Sequence, residues 1–194
     1  MYGQTEATAR ISYLPPDKLD EKPGSIGMAV PGGKLYLVNE RGEQIKETDT
    51  EGQIVYQGAN VMMGYAENSQ DLSLGDTQGK ELLTGDIGYF DEDGYYYITG
   101  RLSRFAKICG KRIHLDDVEK YILEESGRSM LCVDIEGRIY VFYRENNTDE
   151  EALKEMLCQV YGIGKRNVKV VQIPEFPYRS SGKIDYQSLV GGYA

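Results

Sequence analysis

The distribution of glycine constrains the fold of this chain more than any other sequence feature. Fifteen of its 23 glycines lie within the first 100 of its 194 residues. Between them stand short β-branched and aromatic runs, such as Lys34–Asn39 and Gln53–Gln57. Because glycine suits turns and weakens helices, this part of the chain is predicted to be a turn-rich β structure.

A hairpin is predicted near the end of this β-rich part. The runs Leu82–Phe90 and Tyr95–Thr99 flank the four residues from Asp91 to Gly94. An Asp-Gly pair between two such runs is a strong hairpin signal. The same acids superficially resemble a calcium loop, but its first and last ligand positions would fall on Tyr89 and Gly100. We therefore interpret the segment as a turn.

The pattern changes after Gly100, where helical spacing of apolar residues appears. The predicted elements are a hairpin from Phe105–Ile108 and Arg112–Ile113, a helix at Leu115–Glu125, strands at Ser129–Ile135 and Arg138–Arg144, a helix at Asp149–Tyr161 capped by Thr148, a strand at Val168–Ile173, a loop at Pro174–Gly182 and a short helix at Asp185–Val190. We predict an α+β protein with two parts: a small β-rich subdomain over residues 1–100 and a compact α+β cap domain over residues 101–194.

Composition excludes several classes of protein. The chain carries 31 acidic and 22 basic residues, a net charge of −9, which argues against nucleic acid as the main partner. Three cysteines without a C-x-x-C pair, together with one histidine, argue against a disulfide scaffold or a multi-histidine metal site. No apolar run reaches the roughly 18–20 residues that span a bilayer, so we expect no membrane partner. The three scattered cysteines favour a reducing cytoplasm. The sequon Asn146-Asn147-Thr148 has no meaning there.

Six short strings occur in a fixed order along the chain. They are Tyr2-Gly3-Gln4-Thr5-Glu6, Glu51-Gly52-Gln53-Ile54 with Gly64-Tyr65, Thr84-Gly85-Asp86-Ile87-Gly88, Gly100-Arg101, Lys107-Ile108-Cys109-Gly110-Lys111-Arg112-Ile113 and Ser180-Ser181-Gly182-Lys183-Ile184. In these strings the chain resembles the adenylate-forming superfamily of acyl-CoA synthetases, peptide-synthetase adenylation domains and luciferases. The resemblance covers nearly the whole chain and the carboxy-terminal portion of such an enzyme.

The resemblance implies a nucleotide site in the β-rich part. Tyr2 would stack on adenine, Thr5 would bind the α-phosphate, and Glu6 would be an oxygen ligand of Mg²⁺, a type of ligand that this ion prefers. Asp86, expected at the end of a strand, would accept hydrogen bonds from both ribose hydroxyls, and Arg101 would add a second contact to the ribose. The implied cofactors are ATP, AMP and Mg²⁺.

The resemblance also implies functional residues in the cap domain. Lys183 would bridge the α-phosphate and the carboxylate as the catalytic residue. Lys107 and Gly110 would belong to a hairpin that admits a pantetheine thiol, from CoA or from an acyl or peptidyl carrier protein. Ser103 occupies the hinge position, where the family usually has an acid. His114 stands where an acid is common and is interpreted as a surface residue.

These roles imply an ATP-dependent ligase that joins a carboxylic acid to a pantetheine thiol through an acyl-adenylate. The amino-terminal domain of such an enzyme, with its β,γ-phosphate loop and most of the acyl pocket, has no counterpart here. We therefore expect a fragment that depends on this missing domain and is inactive alone. Neither the acid nor the choice between CoA and carrier protein can be read from these residues.

Simpler interpretations remain open at this point. A single exposed lysine, such as Lys183, is ordinarily only a solubilising charge. Arg101, Arg104, Lys107, Lys111 and Arg112 form a basic stretch that is typical of a solvated hairpin face. The same stretch could instead make the chain a non-catalytic module that docks a carrier protein or CoA. Nucleic-acid binding is the weakest alternative, given the net charge.

Overall fold

The computed structural model of the protein describes residues 1–144 and 148–193. Asn146 and Asn147 of the sequon lie outside the described residues. Contacts between Cα atoms divide the chain into two compact units, Met1–Leu102 and Ser103–Ala194. The α+β class predicted from the sequence is confirmed, because strands dominate the first unit and helices pack on sheets in the second. Within the described residues, none of the helices has both the length and the apolar character needed to span a bilayer.

The first unit is built on an antiparallel sheet of seven strands in the order β1-β2-β7-β6-β5-β3-β4. Its strands are β1 (Ser12–Tyr13), β2 (Ser25–Ala29), β3 (Lys34–Val38), β4 (Gln44–Ile45), β5 (Gly52–Gln57), β6 (Glu81–Phe90) and β7 (Tyr96–Arg101). One face buries a cluster that includes Ile11, Leu37, Ile54 and Tyr56. The predicted strands and the predicted hairpin between β6 and β7 are confirmed.

Three strands of this sheet, β1, β2 and β4, were not predicted. β1 and β4 have two residues each, too few to show a pattern. β2 contains Gly27, whose φ of +84° accompanies a register shift in the pairing of β2 with β7. A Cβ at this position would lie 1.8 Å from the carbonyl oxygen of Tyr13, so only glycine fits. Such a close approach between strands is invisible in the sequence alone.

The second unit begins with a hairpin and continues as a three-stranded sheet covered on both faces. Its elements are β8 (Phe105–Ile108), β9 (Lys111–His114), α1 (Leu115–Ser126), β10 (Leu131–Ile135), β11 (Arg138–Tyr143), α2 (Glu150–Tyr161), β12 (Val168–Gln172) and α3 (Tyr186–Tyr193). The order is β10-β11-β12, with β10 antiparallel and β12 parallel to β11. Each predicted element of this unit is present.

The alternation of side chains along β10 and β11 explains the two cores of this unit. Val141 points to the face covered by α1 and α2, whereas its neighbours Tyr140 and Phe142 point to the face covered by α3. Since both faces are buried, these strands read as nearly continuous apolar runs.

One helix cap differs from the sequence prediction. The residue that caps α2 is Asp149, whose Oδ1 accepts a hydrogen bond from the Ala152 amide at 3.0 Å. The prediction of Thr148 as the cap was wrong; its hydroxyl instead accepts a hydrogen bond from Arg128 Nη1. Both are good capping residues, so the sequence left the choice between adjacent positions undecided.

Candidate nucleotide site and the lysine hairpin

Asp86 is the most buried acidic residue of the candidate site, with 3% of its surface exposed. The sequence placed it at the end of a strand, and this was wrong: β6 continues to Phe90, and Asp86 pairs with Arg101 of β7 in the strand interior. Gly85 before it has φ +75°, and the register of β6 shifts on both sides of this region. Such an irregularity changes the direction of a side chain relative to the regular alternation of a strand, and here it affects the Asp86 carboxylate.

Three side chains contact the Asp86 carboxylate. The Tyr2 hydroxyl donates to Oδ2 at 2.5 Å, and Gln4 Nε2 donates to the same oxygen at 3.0 Å. Arg101 Nε lies 3.0 Å from Oδ1. A carboxylate can accept about four hydrogen bonds. One acceptor position therefore remains on Oδ1 for a ligand hydroxyl, and a second becomes available if Arg101, whose side chain is 67% exposed, turns away.

Gln4 is a site residue to which the sequence interpretation assigned no role. Its amide nitrogen also donates to the carbonyl oxygen of Thr84 at 2.8 Å, so it bridges the first string and the strand that carries Asp86. The Asp86 amide in turn donates to the Thr84 hydroxyl. Gln4 stands between two residues that were singled out in the same string, and this position was the available signal.

Tyr2 is held at both its backbone and its side chain. Its backbone pairs with Ser12, and its half-buried ring packs against the core cluster of this unit. Burial, reinforced by the hydrogen bond to Asp86, raises the pKa of the Tyr2 hydroxyl well above the ordinary value for tyrosine. The hydroxyl therefore stays protonated and acts as a donor to Asp86. A ring held in this way can still offer one face to a planar ligand.

Thr5 and Glu6 begin a short 3-10 turn that directly follows Gln4. The Thr5 side chain is exposed. Glu6 Oε1 accepts a hydrogen bond from Tyr65, at 2.9 Å, which brings the Gly64-Tyr65 string beside the first string. This bond also raises the pKa of Tyr65.

The oxygen atoms available around Glu6 decide whether this residue could bind a magnesium ion. Glu6 Oε2 has no hydrogen-bond partner in residues 1–144 and 148–193 and so offers one hard oxygen. The same residues contain no group of three or more His, Cys, Asp or Glu arranged to hold a metal. Mg²⁺ in nucleotide enzymes commonly uses one or two carboxylates together with substrate phosphates and water. A single carboxylate therefore fits an ion that arrives with a nucleotide.

In the second unit, Lys183 lies in a tight hairpin rather than in an open loop. Tyr178 and Ile184 form a bridge, and the Arg179 amide donates to the Lys183 carbonyl at 2.8 Å. The Lys183 side chain is exposed and makes no ion pair with the described residues. The backbone around this ammonium group is therefore ordered while the group itself is available to a ligand.

The hairpin between β8 and β9 turns at Cys109 and Gly110. Their φ angles are +51° and +79°, which is the pattern of a two-residue type I′ turn. A Cβ added to Gly110 would meet nothing within 4 Å, so backbone conformation rather than space selects glycine here. Lys107 is exposed on β8.

The interpretation of the basic stretch as a solvated face was wrong for one of its members, Arg104, whereas Lys111 is exposed. Arg104 is buried, with 7% of its surface exposed, and binds Asp116 and Glu119. Lys111 Nζ donates to the carbonyl oxygens of Tyr161 and Gly162 at 3.1 and 3.0 Å, and so satisfies the carboxyl end of α2. Lys111 is therefore an unsuitable probe of the docking alternative.

Two further predicted positions are placed as follows. Ser103, the predicted hinge, is exposed and lies in a single 3-10 turn, Leu102–Arg104. His114 is half-buried rather than on the surface, and its ring centroid lies 3.8 Å from that of Phe105. The first unit thus gathers Tyr2, Gln4, Thr84 and Arg101 around Asp86, with Thr5 and Glu6 in the adjoining turn. The second unit carries Ser103, Lys107, Gly110 and Lys183.

Comparison with known proteins places these observations in a family. A family model described as AMP-binding enzyme matches residues 1–66. The oxalate–CoA ligase of Arabidopsis thaliana is 31% identical over 94% of this chain and 37% of its own length. Luciferin 4-monooxygenase of Nipponoluciola cruciata is 27% identical over 97% of this chain and 36% of its own length.

The fold is also similar to a solved structure. The o-succinylbenzoate CoA synthetase of Bacillus subtilis, in complex with an acyl-adenylate intermediate, matches 97% of this chain and 40% of its own with a TM-score of 0.71 and 24% identity. The chain thus spans a little over a third of the length of the two relatives. It belongs to the adenylate-forming superfamily of acyl-CoA synthetases, peptide-synthetase adenylation domains and luciferases.

Proposed function

We propose that this chain supplies part of the catalytic machinery of an ATP-dependent ligase that joins a carboxylic acid to a pantetheine thiol. The observation that carries the proposal is the buried Asp86 carboxylate, which is held by Tyr2 and Gln4 and keeps an acceptor position beside the exposed Arg101. Hydrogen bonds from a ribose hydroxyl to a charged acceptor contribute about 1.5–3 kcal/mol each. Asp86 and Arg101 would thus bind the ribose of ATP, with the Tyr2 ring against adenine.

The first half-reaction would form an acyl-adenylate. A carboxylate oxygen of the acid attacks the α-phosphorus, a new P–O bond forms, and the bond to pyrophosphate breaks. Thr5 would donate a hydrogen bond to the α-phosphate, and the Lys183 ammonium would neutralise negative charge that develops there. Glu6 would hold Mg²⁺, which when bound offsets the charge of the phosphates.

The second half-reaction would transfer the acyl group to sulfur. The thiol of CoA or of a carrier-protein phosphopantetheine attacks the acyl carbon and a C–S bond forms. The bond between the acyl carbon and the phosphate oxygen breaks, AMP leaves, and the thiol proton is released to solvent. The exposed turn at Cys109 and Gly110, with Lys107 beside it, would border the path of the pantetheine arm. We further propose that residues from Ser103 onward turn about that residue between the two steps. The rest of the enzyme would supply the amino-terminal domain and the acyl pocket.

We also propose a cytoplasmic location, which the cysteines support. Cys109, Cys132 and Cys158 all carry free thiols. Free thiols are typical of reducing compartments.

ATP–pyrophosphate exchange tests this proposal. In the full-length enzyme, Lys183→Ala should slow exchange by about 10²–10³-fold, as expected for the loss of an electrostatic contact in the transition state. Lys120→Ala is the matched control, because Lys120 is an exposed lysine of the same unit and its side chain is 73% exposed. The 194-residue chain alone should show no exchange. Equal exchange by Lys183→Ala and Lys120→Ala would contradict the proposal.

A further inference from the structure

Arg104 is a buried cation placed directly after the proposed hinge residue, Ser103. Its guanidinium binds three acceptors on two elements: Asp116 Oδ1 at 2.7 Å and Glu119 Oε1 at 2.5 Å on α1, and the carbonyl oxygen of Cys132 on β10 at 2.6 Å. Such a planar, forked donor fixes orientation as well as charge. The first residue after Ser103 is therefore fastened to the body of the second unit.

Tyr186, which lies near the carboxyl end of this unit in the sequence, contacts the same guanidinium group. The Arg104 guanidinium carbon lies 3.7 Å from the centroid of the Tyr186 ring. The Tyr186 hydroxyl donates to Glu119 Oε2 at 3.0 Å, while Glu119 Oε1 also accepts a bond from the Cys132 amide at 2.7 Å. Glu119 is thus shared by the segment after Ser103 and by the first residue of α3.

Tyr186 is also the first helical residue after the hairpin that carries Lys183. Within that hairpin the Gly182 amide donates to the Arg179 carbonyl, and the Asp185 amide donates to the Pro177 carbonyl at 2.9 Å. Only Ile184 and Asp185 separate Lys183 from the ring that covers Arg104. The orientation of the hairpin therefore depends on where Tyr186 is held.

The hairpin that carries Gly110 does not depend on Tyr186. It is covalently continuous with Arg104 through β8, and its two strands pair from Phe105–His114 to Ile108–Lys111. A change at Tyr186 should consequently disturb Lys183 and leave the turn at Gly110 in place. This difference separates a positioning role from general stabilisation.

We propose that Arg104, Glu119 and Tyr186 are positioning residues that join the segment after Ser103 and the Lys183 hairpin into one rigid body. A rotation of the backbone at Ser103 then moves the Lys183 hairpin through the same angle, because the two segments move together. The inference rests on the proposed function for its catalytic consequence, but the anchoring itself can be measured in the 194-residue chain.

The first experiment measures anchoring by amide hydrogen exchange in the 194-residue chain. Tyr186→Leu removes both the ring over Arg104 and the hydroxyl that binds Glu119. We expect exchange at Gly182 and Asp185 to become at least about tenfold faster, with the amides of β11 unchanged. Tyr161→Leu, at a half-buried tyrosine packed on the other face of the sheet, is the control and should leave both amides unchanged. Unchanged exchange in Tyr186→Leu would overturn the inference.

The second experiment separates the two half-reactions in the full-length enzyme. Tyr186→Leu should lower the adenylation kcat by about 10–100-fold, because a displacement near 1 Å can have that effect. The KM for ATP and the rate of thiol transfer from preformed acyl-adenylate should change less than about twofold, since the proposed function assigns Lys183 to adenylation alone. An equal loss in both half-reactions, or no loss in either, would overturn the inference.

Two additional variants keep the outcomes distinct. Tyr186→Phe keeps the ring over Arg104 and loses only the bond to Glu119, so it should slow adenylation by about two- to fivefold and leave thiol transfer unchanged. If Tyr186→Leu does not fold, unchanged adenylation by Tyr186→Phe overturns the inference. Lys183→Ala is run in parallel. If Lys183→Ala adenylates normally, the proposed function fails, whereas normal adenylation by Tyr186→Leu beside an inactive Lys183→Ala overturns only the positioning role.

Discussion

The hydroxyl of Tyr2 donates a hydrogen bond to Asp86 Oδ2 at 2.5 Å, across a sequence separation of 84 residues. This contact joins the first string of the chain to the irregular strand β6. Because Gln4 binds the same oxygen, Oδ2 is filled by the protein and Oδ1 is the oxygen left for a ligand and for Arg101. Most of the candidate site in the first unit is arranged around this one carboxylate.

The raised pKa of Tyr2 predicts a loss of stability at high pH. A group whose pKa is higher in the folded state contributes stability that is complete below its unfolded pKa, near 10 for tyrosine, and that falls as the pH rises above that value. Tyr2→Phe should therefore reduce the dependence of the urea midpoint on pH above about 10. Tyr178→Phe, at a tyrosine that is 61% exposed, is the control. Parallel pH profiles for Tyr2→Phe and the unmodified protein would contradict this prediction.

The bridging amide of Gln4 should stabilise the first unit. Gln4→Met keeps the length of the side chain but removes the donors to Thr84 and Asp86, and the loss of a hydrogen bond to a charged acceptor costs about 1.5–3 kcal/mol. Gln4→Glu should be worse, because it places a second carboxylate beside Asp86. Chemical denaturation measures both changes. Gln57→Met, at the exposed end of β5, should have little effect; an equal effect there would show that Gln4 has no special role.

Arg101 and Arg104 should differ sharply in their effect on stability. Arg104→Met leaves Glu119 without its buried cation, and breaking a buried ion pair typically costs about 3–5 kcal/mol. Burial already raises the pKa of Glu119, and Arg104 opposes that rise. Arg101→Met should change the free energy of unfolding by less than about 1 kcal/mol, because its side chain is 67% exposed. Similar thermal shifts for the two variants would contradict the assignment.

The capping of α2 provides a matched pair of substitutions. Asp149→Ala removes the acceptor of the Ala152 amide and should cost about 0.5–2 kcal/mol, whereas Thr148→Ala leaves that bond intact. Urea denaturation of the two variants measures the difference. A larger loss from Thr148→Ala would instead support the cap that was predicted from the sequence.

Local patterns predicted most of the fold, because turn residues and apolar spacing act over a few neighbouring positions. The hairpin between β6 and β7 follows from one Asp-Gly pair, and α1 follows from the spacing of Leu115, Val118 and Ile122. The pairing of β1 with β2 could not be predicted, since it depends on a close approach between Gly27 and Tyr13 that no local pattern records.

The candidate site, like the fold, could be predicted only in part from the sequence. Strings in the sequence singled out Tyr2, Asp86 and Arg101, and in the structure both Tyr2 and Arg101 contact Asp86. The bulged geometry of β6 decides which oxygen of Asp86 each residue contacts. It also decides the bridging position of Gln4, so neither could be predicted from the strings. Likewise Arg104 looked like one more exposed cation of the hairpin, because its acidic partners on α1 and the ring of Tyr186 come from distant parts of the chain.

Binding of AMP tests the central claim most directly. Titration of the 194-residue chain with AMP should show binding that Asp86→Asn weakens by about 10–100-fold, as expected for the loss of a charged acceptor for ribose. The control Asp20→Asn, at an exposed acid of the same unit, should bind AMP as the unmodified chain does. Removal of the ribose hydroxyls from the ligand should weaken binding to the unmodified chain but not to Asp86→Asn. Equal AMP affinity of Asp86→Asn and the unmodified chain would contradict the account.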